Sequence, residues 1–272
     1  MSAPIERIFV ILDAAAETSA AIAAAVRLAA RSKTPLHAVF VEEEDLLSVA
    51  GLSVARHIVP GARSARLTGA EVELHWRAAA ARARDDLMAA ARAQMLRCSF
   101  EVVRGAAETV LAGVAKGDLV VAGARTRPFA GHLRVRSRWL AVLEAASGPF
   151  LLAQDGHGTK GGIVVLLRER SADSARLLQA AARLAEPGAT PLTVIAPPAL
   201  ATARSFQKWI ADQVEPGGVQ PTIEAAPAAT TALLHRVREL DCRVLAIDAA
   251  TTERDRLAEI TERFACDILV VR

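Results

Sequence analysis

Short apolar runs alternate along this chain with longer stretches in which apolar residues recur every three or four positions. The first run, residues 7–13, is almost continuously apolar and ends on a carboxylate, which is typical of a strand buried on both faces of a parallel sheet. A helical pattern over residues 14–31 and a second apolar run over residues 34–41 follow it. Strand, helix and strand in this order predict a right-handed βαβ unit.

The same alternation continues through the first half of the chain. It predicts further strands over residues 99–103, 118–122 and 150–153, and further helices from near Leu46 and over residues 71–97, 106–115 and 137–146. Alternating strands and helices of this kind indicate an α/β domain, in which a five-stranded parallel sheet is flanked by helices.

A polar, glycine-rich stretch at residues 154–162 has the composition of a linker. Beyond it the chain repeats itself at one offset of 156 positions: Arg27-Leu28-Ala29 recurs as Arg183-Leu184-Ala185, and Thr34-Pro35-Leu36 as Thr190-Pro191-Leu192. We therefore predict two domains with a common origin, residues 1–154 and 162–272. The second has predicted strands over 163–167, 192–195, 222–225, 243–247 and 267–271, and predicted helices over 172–184, 200–213, 230–240 and 252–265.

Residues 46–67 of the first domain contain too many apolar side chains for a solvated loop, and Pro60-Gly61 ends any helix that precedes them. This segment must therefore be covered. Either it covers the core of its own domain, or it presents an apolar patch to a protein partner.

The loop after the strand at 118–122 is rich in arginine. It lies where open α/β sheets bind anions, because backbone N–H groups converge at a helix N-terminus there. Its spacing resembles the phosphate-binding loop of the universal stress proteins, Gly-x2-Gly-x9-Gly-Ser/Thr. Gly123 and Ser137 match the first glycine and the final hydroxyl, whereas Thr126 and Arg136 stand where the family has its second and third glycines. The chain thus resembles a tandem universal stress protein with a degenerate nucleotide loop.

This resemblance implies a strand order of 3-2-1-4-5 in each domain. It also implies that the last strands, residues 150–153 and 267–271, pair antiparallel across a pseudo-twofold axis, which buries two sheet edges. The ligand that it implies for the first domain is an adenine nucleotide, such as ATP or AMP, or another anion. The candidate binding residues are Asp13, Ala38, Val39, Gly123, Arg125, Thr126, Arg136 and Ser137.

The loop also gains basic side chains, namely Arg125, Arg127, His132, Arg134 and Arg138. The guanidinium groups of the arginines could replace the lost backbone contacts and hold a phosphate or a carboxylate. Alternatively, they form a solvated basic loop that faces water and carboxylates such as Glu144. Thr126 places a Cβ where the glycine pattern allows a positive φ, which costs roughly 1–2 kcal/mol if that conformation is kept.

Four adjacent carboxylates follow the second strand: Glu42, Glu43, Glu44 and Asp45. They could hold a divalent cation beside a nucleotide, or they could supply negative charge to the first turn of the helix that begins near Leu46. Adjacent helix positions point in different directions, which favours the second alternative and predicts no metal site.

The second copy differs where the first has its candidate site. Glu169, or Arg168 if the strand is one residue shorter, takes the place of Asp13. Asp248 begins the segment that corresponds to the loop, and this segment has no glycine and is shorter. No phosphate cradle can be built from it, so we expect the second domain to be structural.

Composition narrows the function further. A chain of 272 residues with 52% hydrophobic content can form two cores, and a net charge of +3 argues against binding nucleic acid through bulk charge. No run approaches the roughly 18 apolar residues that cross a bilayer, and no secretory signal is evident, so we expect a cytoplasmic location without membrane insertion. Cys98, Cys242 and Cys266 lack the spacing of a zinc site or a disulfide framework.

The sequence contains no Ser-His-Asp or Cys-His ordering, no His-x-x-x-His pair and no Walker Gly-Lys-Ser/Thr motif, so no general base or nucleophile can be named. We expect a non-catalytic, regulatory stress-response protein with a protein partner, present as an intramolecular pseudo-dimer that could pair again as a homodimer. The alternatives are an interaction module without a small ligand that docks through residues 46–67, a weak ATP-hydrolysing enzyme, and a nucleic-acid contact through the arginine loop.

Overall fold

The computed structural model describes residues 5–14, 18–50, 56–57, 65–66, 68–115, 117–124, 139–154, 161–249, 260, 264 and 266–271. Contacts divide the chain into two compact units, Pro4–Gly148 and, for the most part, Pro149–Arg272. The division falls just before the strand predicted over residues 150–153, whereas the sequence suggests a boundary in the linker at residues 154–162.

The first unit is an α/β unit with a parallel sheet. Its described elements are β1 (Ile8–Asp13), α1 (Thr18–Ser32), β2 (Leu36–Glu42), α2 (Glu44–Ala50), β3 (Arg56–His57), β4 (Ala65–Arg66), α3 (Gly69–Ala93), β5 (Cys98–Arg104), α4 (Ala107–Val110), a 3₁₀ turn (Leu111–Gly113), β6 (Leu119–Gly123) and α5 (Trp139–Ala145). The parallel strands follow the order β5-β2-β1-β6, which confirms the predicted 3-2-1-4 arrangement. The short strands β3 and β4 pair antiparallel with each other.

The core of this unit is formed by its central strands and by α1. Val10, Val39 and Val121, one on each of β1, β2 and β6, have no exposed surface, as expected for strands covered on both faces. Helix α1 buries a stripe of small residues against β1 and also contacts α3. Alanine side chains allow this helix to approach the sheet closely.

Two helices of the first unit are shorter than the sequence pattern predicts. Helix α3 ends at Ala93, because Met95 adopts a positive φ of 53° and turns the chain into β5. Helix α4 has four residues and continues as the 3₁₀ turn to Gly113, so the helix predicted over residues 106–115 was too long. Thr109, Val110 and Gly113 are weak helix formers, which accounts for the early loss of α-helical geometry.

Two residues at the start of the segment 46–67, Leu47 and Ala50, pack on their own domain. Ala50 of α2 is buried in a cluster with Val72 and Trp76 of α3, and Leu47 packs against the same cluster. This part of the segment therefore covers the core of its own unit. The β3–β4 pair is an element that the sequence pattern did not predict.

The second unit repeats the same topology. Its described elements are β7 (Phe150–Ala153), β8 (Gly162–Leu166), α6 (Ala172–Leu184), β9 (Leu192–Ala196), α7 (Pro198–Ala201), α8 (Arg204–Val214), a 3₁₀ turn (Glu215–Gly217), β10 (Pro221–Ala225), α9 (Thr230–Glu239), β11 (Cys242–Asp248) and β12 (Asp267–Val271). The parallel order β10-β9-β8-β11-β12 is the predicted 3-2-1-4-5 arrangement.

The helix predicted over residues 200–213 is wrong, because two helices, α7 and α8, occupy this stretch. The Thr202 hydroxyl donates to the Pro198 carbonyl, and Ala203 is extended with φ −77° and ψ 117°. A side chain that bonds back to the preceding turn competes with helix continuation. Most of the helix predicted over residues 252–265 lies outside the described residues. Among the described helices, none is both long enough and apolar enough to cross a membrane.

Strand β7, the last strand of the first repeat, belongs to the second unit by its contacts. It pairs antiparallel with β12, with Leu151 opposite Leu269, which confirms the predicted pairing of the two last strands. The backbone N–H of Gln154 also donates to the buried carboxylate of Asp267 at 2.9 Å. Strands β7 and β12 are therefore joined by antiparallel pairing and by the hydrogen bond between Gln154 and Asp267.

Candidate functional site

The carboxyl ends of β1 and β6 lie side by side in the first unit. The two strands are parallel and pair Ile11 with Ala122, so Asp13 and Gly123 end neighbouring strands at one edge of the sheet. Asp13 is partly exposed there, and Gly123 is buried. The structure therefore brings together two of the predicted site residues where open α/β sheets bind ligands.

Two other candidate residues lie inside the sheet. Ala38 and Val39 are in the middle of β2 and have no exposed surface. The strand is paired on both sides, with Val39 between Ile11 of β1 and Glu101 of β5, so its backbone hydrogen-bonding groups go to its neighbours. The residue of β2 beside Asp13 is Val41. A ligand contact by Ala38 or Val39 stays a prediction.

The remaining candidates fall outside the described residues. They are Arg125, Thr126, Arg136 and Ser137, together with the other basic loop residues Arg127, His132, Arg134 and Arg138. The described chain includes Ala124 on one side of this segment and Trp139, the first residue of α5, on the other. Both alternatives for the arginine loop, anion-holding and solvated, stay predictions.

An ion-pair cluster that the sequence pattern did not predict lies at the ends of β2 and β5. Arg104 donates from Nε and Nη2 to Glu42 Oε2 at 3.2 and 3.1 Å, and its Nη2 lies 3.5 Å from Glu73 Oε1. Its guanidinium carbon is 5.8 Å from the ring centre of Trp76. Glu42 and Arg104 face each other in the register of β2 and β5. Opposite charges at the ends of two strands that are neighbours in the sheet could have predicted this ion pair from the sequence.

The four adjacent carboxylates are divided between two elements. Glu42 is the last residue of β2 and binds Arg104, so it does not cap a helix, contrary to the favoured alternative. Glu44 and Asp45 are the first residues of α2, where negative charge suits the helix dipole. Within the described ranges, no group of three or more His, Cys, Asp and Glu side chains is placed to share a metal ion.

Helix α2 borders this edge of the sheet. Ala14, which directly follows Asp13, packs against the cluster that contains Leu47, Ala50 and Trp76. The insertion that carries α2 follows β2 in the first repeat. It therefore brings apolar side chains into contact with Ala14, the residue that follows Asp13.

The registers settle which residue of the second repeat corresponds to Asp13. Ile8 pairs with Leu36 in the first unit and Ile163 pairs with Leu192 in the second, so Ile8 and Ile163 are equivalent. Five positions further on, Asp13 corresponds to Arg168, which is the second of the two sequence alternatives. The charge at the end of the first strand is therefore reversed.

The second repeat also lacks an equivalent of Gly123. Leu119 pairs with Ile8, and Val244 pairs with Ile163, so Leu119 and Val244 are equivalent. Gly123 lies four residues after Leu119. It therefore corresponds to Asp248, four residues after Val244 and the last residue of β11. Asp248 is 4% exposed. A buried carboxylate replaces the glycine at which backbone could approach an anion, and a negative charge there repels phosphate. The two repeats therefore carry different residues at the carboxyl ends of their first and fourth parallel strands.

The cysteines do not add a reactive centre. Cys98, Cys242 and Cys266 are free thiols. Contact with the Cys266 thiol and burial raise the pKa of Cys242, which keeps its sulfur protonated. A protonated thiol is a poor nucleophile and a poor metal ligand.

These features define a duplicated α/β chain with a candidate anion-binding edge in its first repeat. No protein-family model and no curated protein matches the sequence. Solved structures do match: a universal stress protein from Archaeoglobus fulgidus DSM 4304 has a TM-score of 0.61 at 11% identity, covering 96% of this chain and 97% of that chain. A protein of unknown function from Pseudomonas aeruginosa PAO1 has a TM-score of 0.57 at 16% identity, covering 98% and 92%. The chain has the fold of the universal stress proteins, in two tandem repeats.

Proposed function

We propose that this chain is a non-catalytic regulatory protein of the universal stress type, which binds an adenine nucleotide such as ATP or AMP, or a related anion, through its first repeat. The observation that carries the proposal is the difference between the two carboxyl edges. The first repeat ends β1 and β6 with Asp13 and Gly123, and the second places Arg168 and buried Asp248 at these positions. A glycine at such an edge lets backbone N–H groups approach a phosphate.

In this proposal, Asp13 accepts a hydrogen bond from the sugar or base, and the apolar side chains that contact Ala14 border the ligand. The basic residues between Arg125 and Ser137, which lie outside the described residues, supply positive charge. Guanidinium groups bind phosphate in a forked geometry and can compensate for missing glycines. The absence of a Walker motif and of a catalytic triad ordering in the sequence supports a binding role without turnover.

Calorimetric titration of the full chain with ATP, ADP and AMP tests this proposal. Gly123→Asp copies the second repeat, and we expect it to weaken binding by at least about tenfold, or 1.4 kcal/mol. Arg168→Asp in the second repeat is the matched control and should leave the affinity unchanged. Because Gly123 is buried, the double variant Arg125→Ala, Arg136→Ala serves as a second, loop-based test.

Two outcomes would contradict the proposal. ATP binding that survives both Gly123→Asp and the double loop variant would place the ligand elsewhere. ADP release from Mg-ATP above the buffer rate would replace the binding role with the alternative of a weak ATP-hydrolysing enzyme.

A further inference from the structure

Both repeats carry a glutamate at the same place on the third strand of their sheets. Glu101 pairs in register with Val39, and Glu224 pairs with Ile195. Val39 and Ile195 are equivalent at the repeat offset of 156 positions, so the two glutamates are equivalent as well. The residues that face them from the following helix differ.

In the second repeat, Arg236 of α9 binds this glutamate with both arms of its guanidinium group. Its Nε donates to Glu224 Oε2 at 2.9 Å and its Nη2 donates to Oε1 at 2.8 Å. Its Nη1 also donates to Glu239 Oε2 at 3.1 Å. Such forked pairing is the geometry in which carboxylates recognise guanidinium groups.

In the first repeat, the position of Arg236 is taken by a glycine. Helix α4 begins at Ala107, six residues after Glu101, just as α9 begins at Thr230, six residues after Glu224. Gly113 therefore corresponds to Arg236. A Cβ built on Gly113 meets nothing within 4 Å, and its φ is not in the left-handed region, so neither crowding nor backbone geometry requires a glycine here.

A cavity of about 240 Å³ is lined by both Glu101 and Gly113, the residues that correspond to Glu224 and Arg236. It opens between the sheet and the helical segment that ends at Gly113, and residues that line it include Phe9, His37, Glu101, Val103, Thr109 and Gly113. Its volume is below the roughly 300–1,000 Å³ of pockets for drug-sized ligands, so its occupant must be small. It lies on a face of the sheet, whereas the candidate nucleotide site lies at the carboxyl edge of β1 and β6.

The charged side chains that line the cavity are Arg7, Arg104, His37 and Glu101. Arg7 binds Asp118 at 2.7 Å, and Arg104 binds Glu42 at 3.1 Å, so each guanidinium group already has a carboxylate partner. Glu101 is therefore the lining carboxylate that a further cation would meet.

The described ionic partner of Glu101 is a histidine. His37 Nε2 lies 3.5 Å from Glu101 Oε1, while its Nδ1 is 2.6 Å from Ser99 Oγ.

We propose that this cavity binds the guanidinium group of a small molecule, with the carboxylate of Glu101 accepting both arms of the fork as Glu224 accepts those of Arg236. The ring of Phe9 and the methyl groups of Val103 and Thr109 border the aliphatic stem of the ligand. This site is independent of the proposed nucleotide site.

Titration of the full chain with agmatine, followed by calorimetry and by NMR shifts of the His37 ring, tests the site. Putrescine (1,4-diaminobutane), which has the same four-carbon stem and the same double charge but an ammonium in place of the guanidinium group, should bind at least about tenfold more weakly, because a forked contact is replaced by a single one. Glu101→Gln should weaken agmatine binding by about tenfold. Glu169→Gln removes the same charge from an exposed position of the second repeat and should have no effect.

A pair of variants at Gly113 gives the sharper comparison. Gly113→Arg rebuilds the internal pair of the second repeat and should abolish agmatine binding, whereas Gly113→Ala makes the same backbone change without reaching Glu101 and should preserve it. The proposal is overturned if agmatine does not bind the wild type at millimolar concentration. It is also overturned if Glu101→Gln binds agmatine as the wild type does, or if Gly113→Arg binds it as Gly113→Ala does.

Discussion

At the scale of single residues, Gly161 and Gly188 show two different reasons for a glycine. Both have a positive φ, of 108° and 72° respectively. A Cβ on Gly161 would overlap the carbonyl oxygen of Asp241 and press against Arg243, whereas a Cβ on Gly188 meets nothing within 4 Å. The first glycine is required by backbone conformation and by close approach, and the second by conformation alone.

These environments predict unequal costs for the same substitution. Gly161→Ala should lower the free energy of unfolding by about 3 kcal/mol or more, because strain adds to a steric overlap. Gly188→Ala should cost about 1 kcal/mol, since it adds strain without overlap. Urea denaturation of both variants measures the difference, and equal costs would show that the overlap is relieved by a backbone shift.

The pair of Glu224 and Arg236 predicts a pH dependence of stability. The hydrogen bond from Arg236 lowers the pKa of Glu224. The pair therefore stabilises the fold above the ordinary glutamate pKa of about 4.3, and this contribution is lost as pH falls through the lowered value. Arg236→Gln should lower the melting temperature at pH 7 and have progressively less effect below pH 4. Arg204→Gln, at an exposed position, is the charge control, and a deficit that persists at pH 2 would contradict the assignment.

At the scale of elements, α3 has the most completely specified start among the described helices. Thr68 Oγ1 accepts from the Glu71 backbone N–H at 3.3 Å, and Glu71 Oε2 accepts from the Thr68 backbone N–H at 2.9 Å. This reciprocal arrangement is a capping box, which satisfies two N–H groups that a helix start leaves free.

The capping box predicts a defined cost of removal. Thr68→Ala should reduce the free energy of unfolding by about 1 kcal/mol, whereas Thr68→Ser keeps the hydroxyl and should cost little. Denaturant unfolding followed by circular dichroism checks both variants. A Thr68→Ser variant as unstable as Thr68→Ala would show that the methyl group, not the cap, is the stabilising feature.

Elements were predictable from sequence where burial alone decides them. Strands β1, β2 and β8 are predominantly apolar runs, although β1 ends in Asp13 and β2 contains His37 and ends in Glu42, and their existence follows from that pattern. The end of α4 and the break between α7 and α8 depend instead on local competition, such as the Thr202 hydroxyl bonding to a preceding carbonyl. Periodicity does not register such contacts, so these boundaries were missed.

At the scale of the whole molecule, the internal repeat made the topology predictable. It did not predict the side-chain pairs that differ between the two copies. The strand end at Asp13 was predicted, whereas Gly123 was predicted as the first loop residue and is the last residue of β6; both lie at one edge because parallel strands end at a common edge. The pairs of Glu42 with Arg104 and of Glu224 with Arg236 depend on strand register and on helix phase, which a single sequence does not fix. The cavity beside Gly113 becomes evident when one repeat is compared with the other in register.

The placement of β7 predicts how the second unit behaves when it is produced alone. Phe150, Leu151 and Leu152 are each at most 1% exposed, and they join β12 through antiparallel pairing. A fragment that begins at Pro149 keeps this strand, whereas a fragment that begins at Gly161 loses it and leaves the apolar edge of β12 unpaired. The shorter fragment should be less stable by on the order of 3 kcal/mol, since it forfeits the burial of several large side chains. It should also aggregate at lower concentration. Urea unfolding and size-exclusion chromatography of both fragments measure these effects, and equal midpoints would mean that β7 contributes nothing to the unit with which its contacts group it.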